Sequence, residues 1–177
     1  MMSRLLASVT ALTLTAGVAA ADYTLTILHT NDFHARFEPT NKYDSGCGAE
    51  DAAEGKCFGG SARLVTAIAE ARARSNNSIM VDGGDQFQGT LFYTYYKGQL
   101  AAEMMNKMGY DAMTVGNHEF DDGPEVLRGF MDAVNFPVLM SNADFSAEPL
   151  LADKLLKSTV IAVSYTHLTL PTTGIRC

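Results

Sequence analysis

The chain has 177 residues, 47% of them hydrophobic, and its 20 acidic residues outnumber 13 basic ones to give a formal net charge of −7. A chain of this length and apolar content can bury one core, so a single domain is expected. The acidic balance excludes nonspecific binding to nucleic acid, which depends on lysine and arginine to neutralise phosphates.

The N-terminus has the pattern of a cleaved signal peptide. Arg4 precedes an apolar run over residues 5–18, and residues 19–21 are the small alanines that signal peptidases accept. A membrane anchor is the alternative, but the run is shorter than the roughly 20 apolar residues of a spanning helix and is interrupted by Ser, Thr and Gly. We therefore expect residues 1–21 to be removed, and a periplasmic or secreted protein that begins at Asp22 and has no membrane span.

Short apolar segments rich in branched residues predict the strands of a sheet. They are residues 24–30, 79–82, 112–115 and 136–140, with a possible fifth over 159–163. Because helical patterns separate these segments, the expected fold class is α/β, with a mostly parallel sheet flanked by helices.

Three helices are indicated by their ends as well as by their apolar spacing. Ser61 is a suitable N-cap for the first. The second covers residues 99–108 and stops at Gly109, and the third has Pro124 at its first position. Neither an internal repeat nor a linker divides residues 22–162, which are expected to form part of one domain.

Polar clusters follow the first three predicted strands. They are Asp32-Phe33-His34, Gly84-Asp85 and Asn117-His118-Glu119-Phe120-Asp121. The carboxyl ends of parallel strands meet at one edge of a sheet, so clusters far apart in sequence are expected to converge on one crevice. Carboxylate, imidazole and amide groups are suitable ligands for Zn, Mn or Fe. The sequence therefore predicts a metal-dependent hydrolase.

The first cluster is expected to present two ligands on one face. In an extended segment alternate side chains point the same way, so Asp32 and His34 can contact one ion while Phe33 points into the core. His29 lies on the opposite face of its strand and is interpreted as a core histidine.

The second cluster follows a glycine turn. Gly83 and Gly84 allow the chain to turn sharply, and in such a turn the carboxylate of Asp85 can lie between two ions and bridge them. A dinucleotide-binding loop would need the G-x-G-x-x-G spacing, which Gly83, Gly84 and Gly89 do not have. Asp82 is expected to hydrogen-bond the turn and is not assigned a metal.

The third cluster combines a neutral ligand with a titratable pair. Asn117 offers an amide oxygen to a metal, and His118 beside it can approach a phosphate. Asp121 can accept a hydrogen bond from His118, which would set the tautomer of the imidazole and raise its pKa. Glu119 is interpreted as a structural acid. Alone, the cluster also fits an Asn-His turn at a strand end, and the upstream clusters favour the site.

Cys47 and Cys57 are expected to form a disulfide in an exported protein. The bridge would close a loop without apolar periodicity and stabilise the fold by roughly 2 to 3 kcal/mol. A zinc site is the alternative, but neither a second cysteine pair nor a nearby histidine pair completes it.

The motifs closely resemble those of the calcineurin-like metallophosphoesterases and, within them, of the exported 5′-nucleotidases of the ecto-5′-nucleotidase branch. They are residues 28–34 (LHTNDFH), 84–89 (GDQFQG) and 116–121 (GNHEFD), together with the cysteine loop and the run over residues 84–113. The resemblance covers nearly all of residues 22–162. It implies a partial calcineurin-like metallophosphoesterase domain that is truncated before its second half.

The resemblance also implies two divalent metal ions, Zn, Mn or similar. Residues matching Asp32 and His34 bind the first metal in the family, one matching Asp85 bridges both, and one matching Asn117 binds the second. Residues matching His118 and Asp121 form a catalytic dyad, and Asn117 with His118 would also contact the substrate.

The implied activity is hydrolysis of the 5′-phosphate of a small-molecule nucleotide by a metal-activated water. Within the same superfamily the alternatives are a UDP-sugar or 2′,3′-cyclic-nucleotide hydrolase, or a thiosulfohydrolase. An inactive metal-binding fragment is a further alternative, because family members carry more metal ligands and a nucleoside-binding domain downstream. The sequence makes no prediction of the oligomeric state.

The last residues look foreign to the domain. Residues 163–172 (VSYTHLTLPT) resemble a translation of the transposase adapter used in preparing sequencing libraries, and the alternative is a Thr-rich strand and turn. We expect residues 163–177 to be a tail derived from that adapter, so His167 and Cys177 are excluded from the site.

Overall fold

The sheet is fully parallel and runs in sequence order. The computed structural model describes residues 24–159, and its four strands pair in the order β1-β2-β3-β4. The strands are β1 (Thr26–Thr30), β2 (Ser78–Asp82), β3 (Ala112–Thr114) and β4 (Val138–Leu139). The predicted α/β class is confirmed, and each strand lies within two residues of its predicted ends.

Helices fill the connections between the strands. They are α1 (Ala49–Ala53), α2 (Ser61–Ala73), α3 (Leu91–Tyr96), α4 (Gln99–Met108) and α5 (Pro124–Ala133), with a short 3₁₀ turn over His118–Phe120. Because α4 contacts both α2 and α5, these three helices lie along one face of the sheet. The core lies between that face and the helices, and its fully buried side chains include Met80, Met113, Leu127 and Phe130.

The end of α4 and the start of α5 are as predicted, whereas the start of α2 is not. Gly109 ends α4 in the left-handed conformation, at φ 73°, and Pro124 opens α5 as predicted. Ser61 is not the N-cap of α2, which is Gly60. At φ 88° Gly60 brings its backbone so close to Pro39 that a Cβ would lie 2.9 Å from the proline nitrogen, and Ser61 instead bonds the carbonyl of Phe37.

The sheet face away from the helices is open among the described residues. On β1 the side chains of Ile27 and His29 are exposed, and Ile27 keeps 59% of its surface accessible. The prediction of a buried first strand with His29 in the core is therefore wrong. The alternation of side chains between the two faces of β1 was predicted correctly. However, β1 is an edge strand of the described sheet, and only one of its faces is covered.

A disulfide joins Cys47 to Cys57, with their Cα atoms 5.7 Å apart, so both thiols are paired with each other rather than with a metal. The loop that it closes contains α1, a short helix that the sequence pattern did not indicate. Backbone bonds in both directions between Thr40 and Phe58 join the segments on either side of this loop.

Two predicted segments lie outside the described residues, namely the signal peptide over 1–21 and the tail over 163–177. The predicted fifth strand, 159–163, also lies almost entirely outside them. Leu156 forms a parallel bridge to Leu139, so pairing beyond β4 begins before residue 159. Within residues 24–159, none of the helices has the length and apolar character needed to cross a membrane.

Candidate metal centre

The three polar clusters converge at the carboxyl ends of β1, β2 and β3. One ligand atom each from His34, Asp85 and His118 lies within 4.8 Å of the other two, which is close enough for a single metal ion to contact all three. All three side chains are half-buried. Two imidazoles and a carboxylate suit Zn, Mn or Fe, so the residues present fit a transition-metal site.

The Asp32 to His34 segment is a turn rather than an extended strand. Asp32 and His34 have φ values of 53° and 49°, in the left-handed region, so the premise of alternating extended residues is wrong. Phe33 is only half-buried and packs edge-on against Phe37, 5.2 Å between ring centroids. The two predicted ligands still converge, because His34 Nε2 lies 3.7 Å from Asp32 Oδ1.

Bonds to the β2 loop hold this turn in place. The backbone N–H groups of Asp32, His34 and Ala35 donate to three successive carbonyls, those of Gly84, Asp85 and Gln86, at 2.9 to 3.1 Å. Non-glycine residues in the left-handed region are strained by roughly 1 kcal/mol or more each, and such strain often clusters at functional sites. Here the tertiary bonds, rather than local propensity, determine the conformation.

The His34 ring is oriented for binding through one nitrogen. Its Nδ1 lies 3.1 Å from the carbonyl oxygen of Phe87, an atom that can only accept a hydrogen bond. Nδ1 therefore carries the proton, and Nε2 is the nitrogen of His34 that can offer a lone pair to a metal. Sequence reasoning did not identify this contribution of Phe87, because a backbone carbonyl has no residue signature.

Asp85 lies at the closest approach of two loops. Its Oδ1 accepts a hydrogen bond from the backbone N–H of His118 at 3.0 Å. A Cβ on Gly84 would lie 2.2 Å from the nitrogen of Gly116, and a Cβ on Gly116 would lie 2.1 Å from Asp85 Oδ1. Only glycine at both positions lets the loops touch and brings Asp85 next to the third cluster.

Asp121 accepts from His118, as expected. The distance from His118 Nδ1 to Asp121 Oδ2 is 2.7 Å, and this bond is the main cause that raises the pKa of His118 above its ordinary value. Because Nδ1 is occupied by this bond, Nε2 is the nitrogen of His118 that remains for a metal or a phosphate. The His118 and His34 rings meet edge to face, with centroids 5.1 Å apart.

The hydrogen bonds that hold the residue next to Asp121 were not predicted from the sequence. Its neighbour Asp122 accepts hydrogen bonds from the Tyr93 hydroxyl at 2.7 Å and from Lys97 Nζ at 3.0 Å. These bonds lower the pKa of Asp122 and tie the segment after the 3₁₀ turn to α3. The only available signal was the Tyr-Lys-Gly run that follows the second cluster.

Asn117 and Asp32 occupy the exposed rim of the centre. Asn117 precedes the 3₁₀ turn, and its side chain makes no capping bond there. Asp32 borders a cavity of about 590 Å³ that Phe33, Arg36 and Phe58 also line. The structure thus brings all six predicted site residues to one edge of the sheet, with His34, Asp85 and His118 in the tightest group.

Asp82 bonds the glycine turn, as the sequence suggested. Its carboxylate, only 3% exposed, accepts from Gly84 N at 2.9 Å, Gln86 Nε2 at 2.9 Å and the Thr30 hydroxyl at 2.6 Å. Burial outweighs these bonds and raises the pKa of Asp82 from 3.8 to about 6. The folded chain therefore retains this proton at a pH where the unfolded chain has released it.

Asp82 should lower stability progressively as pH rises from about 4 to about 7. Across this range the free energy of unfolding of the parent should fall by about 2 kcal/mol through this group, whereas that of Asp82→Asn should not, because Asn does not titrate. The difference between the variant and the parent should therefore increase by about 2 kcal/mol. Urea denaturation with a metal chelator present measures it. Asp132→Asn is the control, because Lys154 and Arg128 lower the pKa of Asp132. The difference in unfolding free energy between this variant and the parent should therefore change little above pH 4. A pH-independent difference for Asp82→Asn would contradict the burial argument.

Parallel strands whose carboxyl ends bring Asp, His and Asn side chains to one edge of the sheet fit a metal-dependent phosphoesterase, and sequence comparison identifies the family. A family profile described as calcineurin-like phosphoesterase matches residues 25–172. The chain therefore belongs to the calcineurin-like phosphoesterase family. The match extends past residue 162, where the sequence places the end of the domain, and that boundary stays a prediction.

Similar proteins include several 5′-nucleotidases, which confirms the predicted branch. The chain is 45% identical over 148 residues to one from Diplobatis ommata, covering 82% of this chain and 25% of that protein. It is 44% identical over 138 residues to one from Bos taurus, covering 77% and 23%. A 5′-nucleotidase precursor from Thermus thermophilus matches in structure with a TM-score of 0.70 at 38% identity, covering 80% and 27%. The chain spans about a quarter of the length of these relatives.

Proposed function

We propose that this chain is the N-terminal part of an exported phosphohydrolase that uses two divalent metal ions to remove the 5′-phosphate of nucleotides. The observation that carries the proposal is the convergence of His34, Asp85 and His118 within 4.8 Å, with Asp121 bonded to the His118 ring. The similarity to 5′-nucleotidases supports the substrate class.

Four residues would hold the ions. Asp32 and His34 would bind the first, Asp85 would bridge, and Asn117 would bind the second. Divalent cations bound there would supply Lewis-acid stabilisation of charge on a phosphate ester and would acidify water. The net charge of −7 suits a site whose carboxylates are neutralised by cations.

The remaining chemistry belongs to His118 and Asp121. Asp121 holds His118 in the tautomer, or the protonated form, with a proton on Nδ1. Nε2 is then the nitrogen that can donate to a phosphate oxygen or protonate the leaving oxygen of the ester. Asn117 and His118 together would orient the phosphate.

Export and the domain limits are part of the same proposal. We propose that residues 1–21 are a cleaved signal peptide, that residues 22–162 belong to the metallophosphoesterase domain, and that residues 163–177 are foreign to it. The disulfide between Cys47 and Cys57 supports an oxidising compartment.

Metal-dependent release of phosphate from AMP tests the function. Mn or Zn added to the metal-free 177-residue chain should increase the rate by at least roughly 100-fold, since metal activation contributes several kcal/mol. Asp85→Asn keeps the shape of the side chain and removes its charge, so its rate should not increase when Mn or Zn is added. UDP-glucose, 2′,3′-cyclic AMP and a thiosulfate ester form the panel for the alternative activities. Metal binding without turnover on any substrate would favour the inactive fragment, and failure to bind metal would refute the proposal.

A further inference from the structure

Glu119 is a buried carboxylate that bonds two loops of the centre at once. Its exposed fraction is 0%, and its two oxygens accept four backbone N–H groups. Oε1 accepts from Gln86 at 2.8 Å and from Phe87 at 3.3 Å, while Oε2 accepts from Asp85 at 2.9 Å and from Gly116 at 2.5 Å. Three of these donors belong to the loop after β2, and the fourth belongs to the loop after β3.

A reciprocal bond completes the connection. Glu119 accepts from the backbone of Asp85, and the Asp85 side chain accepts from the backbone N–H of His118, one residue before Glu119. The bonds form a closed ring between the two loops, so neither can shift without breaking a charge-assisted hydrogen bond. The ring members include Asp85 and the backbone of His118, whose side chains supply two of the three clustered ligand atoms.

We propose that Glu119 is a positioning residue that sets the separation of Asp85 from Asn117 and His118, and thereby the affinity of the centre for metal. This inference rests on the proposed function. Glu119 is not expected to touch substrate or metal, because both its oxygens accept hydrogen bonds from backbone donors. Its effect is transmitted through the Asp85 backbone and the Gly116 backbone.

Asp82 provides a matched control. It is also a buried carboxylate, 3% exposed, with bonds to Gly84, Gln86 and Thr30, yet none of these partners lies in the loop after β3. A general cost of removing a buried carboxylate should therefore appear in Asp82→Asn as well as in Glu119→Gln. A cost specific to the geometry of the centre should appear only in the Glu119 variant.

Mn and Zn affinity of the full chain, measured by titration calorimetry below the unfolding transition, is the main test. Glu119→Gln places an amide NH₂ against backbone donors, and we expect metal affinity to fall by about 10- to 100-fold, the usual range for residues that orient ligands. Asp82→Asn should stay within about 3-fold of the parent. Lower thermal stability with parental metal affinity in Glu119→Gln would overturn the proposal and leave Glu119 a purely structural acid.

Amide hydrogen exchange on the metal-free chain gives a second readout that does not depend on the proposed function. The amides of Asp85 and Gly116 should exchange faster in Glu119→Gln, whereas core amides such as that of Leu127 should keep their protection. If the parent binds no metal, the proposed function fails, and unchanged exchange at Gly116 separately overturns the positioning role. If Glu119→Gln does not fold cooperatively, Glu119→Asp is measured instead, and parental affinity with parental Gly116 exchange there counts against the proposal.

Discussion

Replacing Gly84 with alanine is expected to abolish tight metal binding and to lower the free energy of unfolding by at least about 3 kcal/mol. Gly84 has φ 94°, which alanine adopts only under strain. In addition, the new Cβ would lie 2.2 Å from the nitrogen of Gly116 and 2.8 Å from its Cα, and both are backbone atoms that cannot rotate away. The loops after β2 and β3 must therefore separate, which moves Asp85 away from His118.

Gly55→Ala separates the effect of backbone strain from the effect of the clash between the two loops. Gly55 also has a left-handed backbone, at φ 69°, but a Cβ there would meet nothing within 4 Å. It should lose only about 1 to 2 kcal/mol from backbone strain and should bind metal like the parent. Urea denaturation and metal titration of both variants provide the measurements. Similar losses of stability and equal metal affinity in the two variants would show that the loop contact is unimportant.

The elements and positions of the site could be predicted because they depend on local patterns. The apolar periodicity of α4 and the stop at Gly109 predicted both of its ends, and the polar residues after each strand predicted which edge of the sheet carries the centre. Parallel strands leave little choice here, since their carboxyl ends must share one edge.

The shape of the site could not be predicted because it depends on contacts between distant segments. The left-handed turn at Asp32 and His34 exists only because three carbonyls of the loop after β2 accept its N–H groups. Likewise, Glu119 could be recognised from sequence as a structural acid, but its four donors lie up to 34 residues away. The exposure of His29 depends on which sheet face the rest of the fold covers, and strand periodicity does not specify that.

The strained turn and the glycine contact have a common consequence. The loop after β1 and the loop after β2 are joined by the hydrogen bonds from Asp32, His34 and Ala35, so a change in the conformation of one loop is expected to disturb the other. The two loops and the loop after β3 thus form one structural unit. Substitutions at the loop contacts are therefore expected to affect metal binding and stability together, whereas substitutions of side chains that face outward from this unit should not.

His118 is bonded to this unit through its backbone, and replacement of its side chain is the second large expected effect. In the metal-loaded chain, His118→Ala should lower turnover of a phosphate monoester by roughly 10²- to 10⁴-fold, the usual contribution of a positioned acid or base. Metal content, measured by atomic emission, should fall far less. The physical reason is that Asp121 directs the Nδ1 proton, while Asp85 contacts the backbone of His118, which alanine retains.

The same experiment decides between two roles that the geometry allows for this ring. Its position within 4.8 Å of ligand atoms of His34 and Asp85 also permits direct metal binding, and a ligand role predicts that metal content and turnover fall in parallel. His29→Ala removes an exposed histidine on β1 that is not one of the clustered residues, and should leave both quantities unchanged. Parallel losses in His118→Ala would therefore show that His118 is a metal ligand rather than a member of the proposed catalytic dyad. Loss of turnover alone would support its role as the acid that acts on the leaving oxygen.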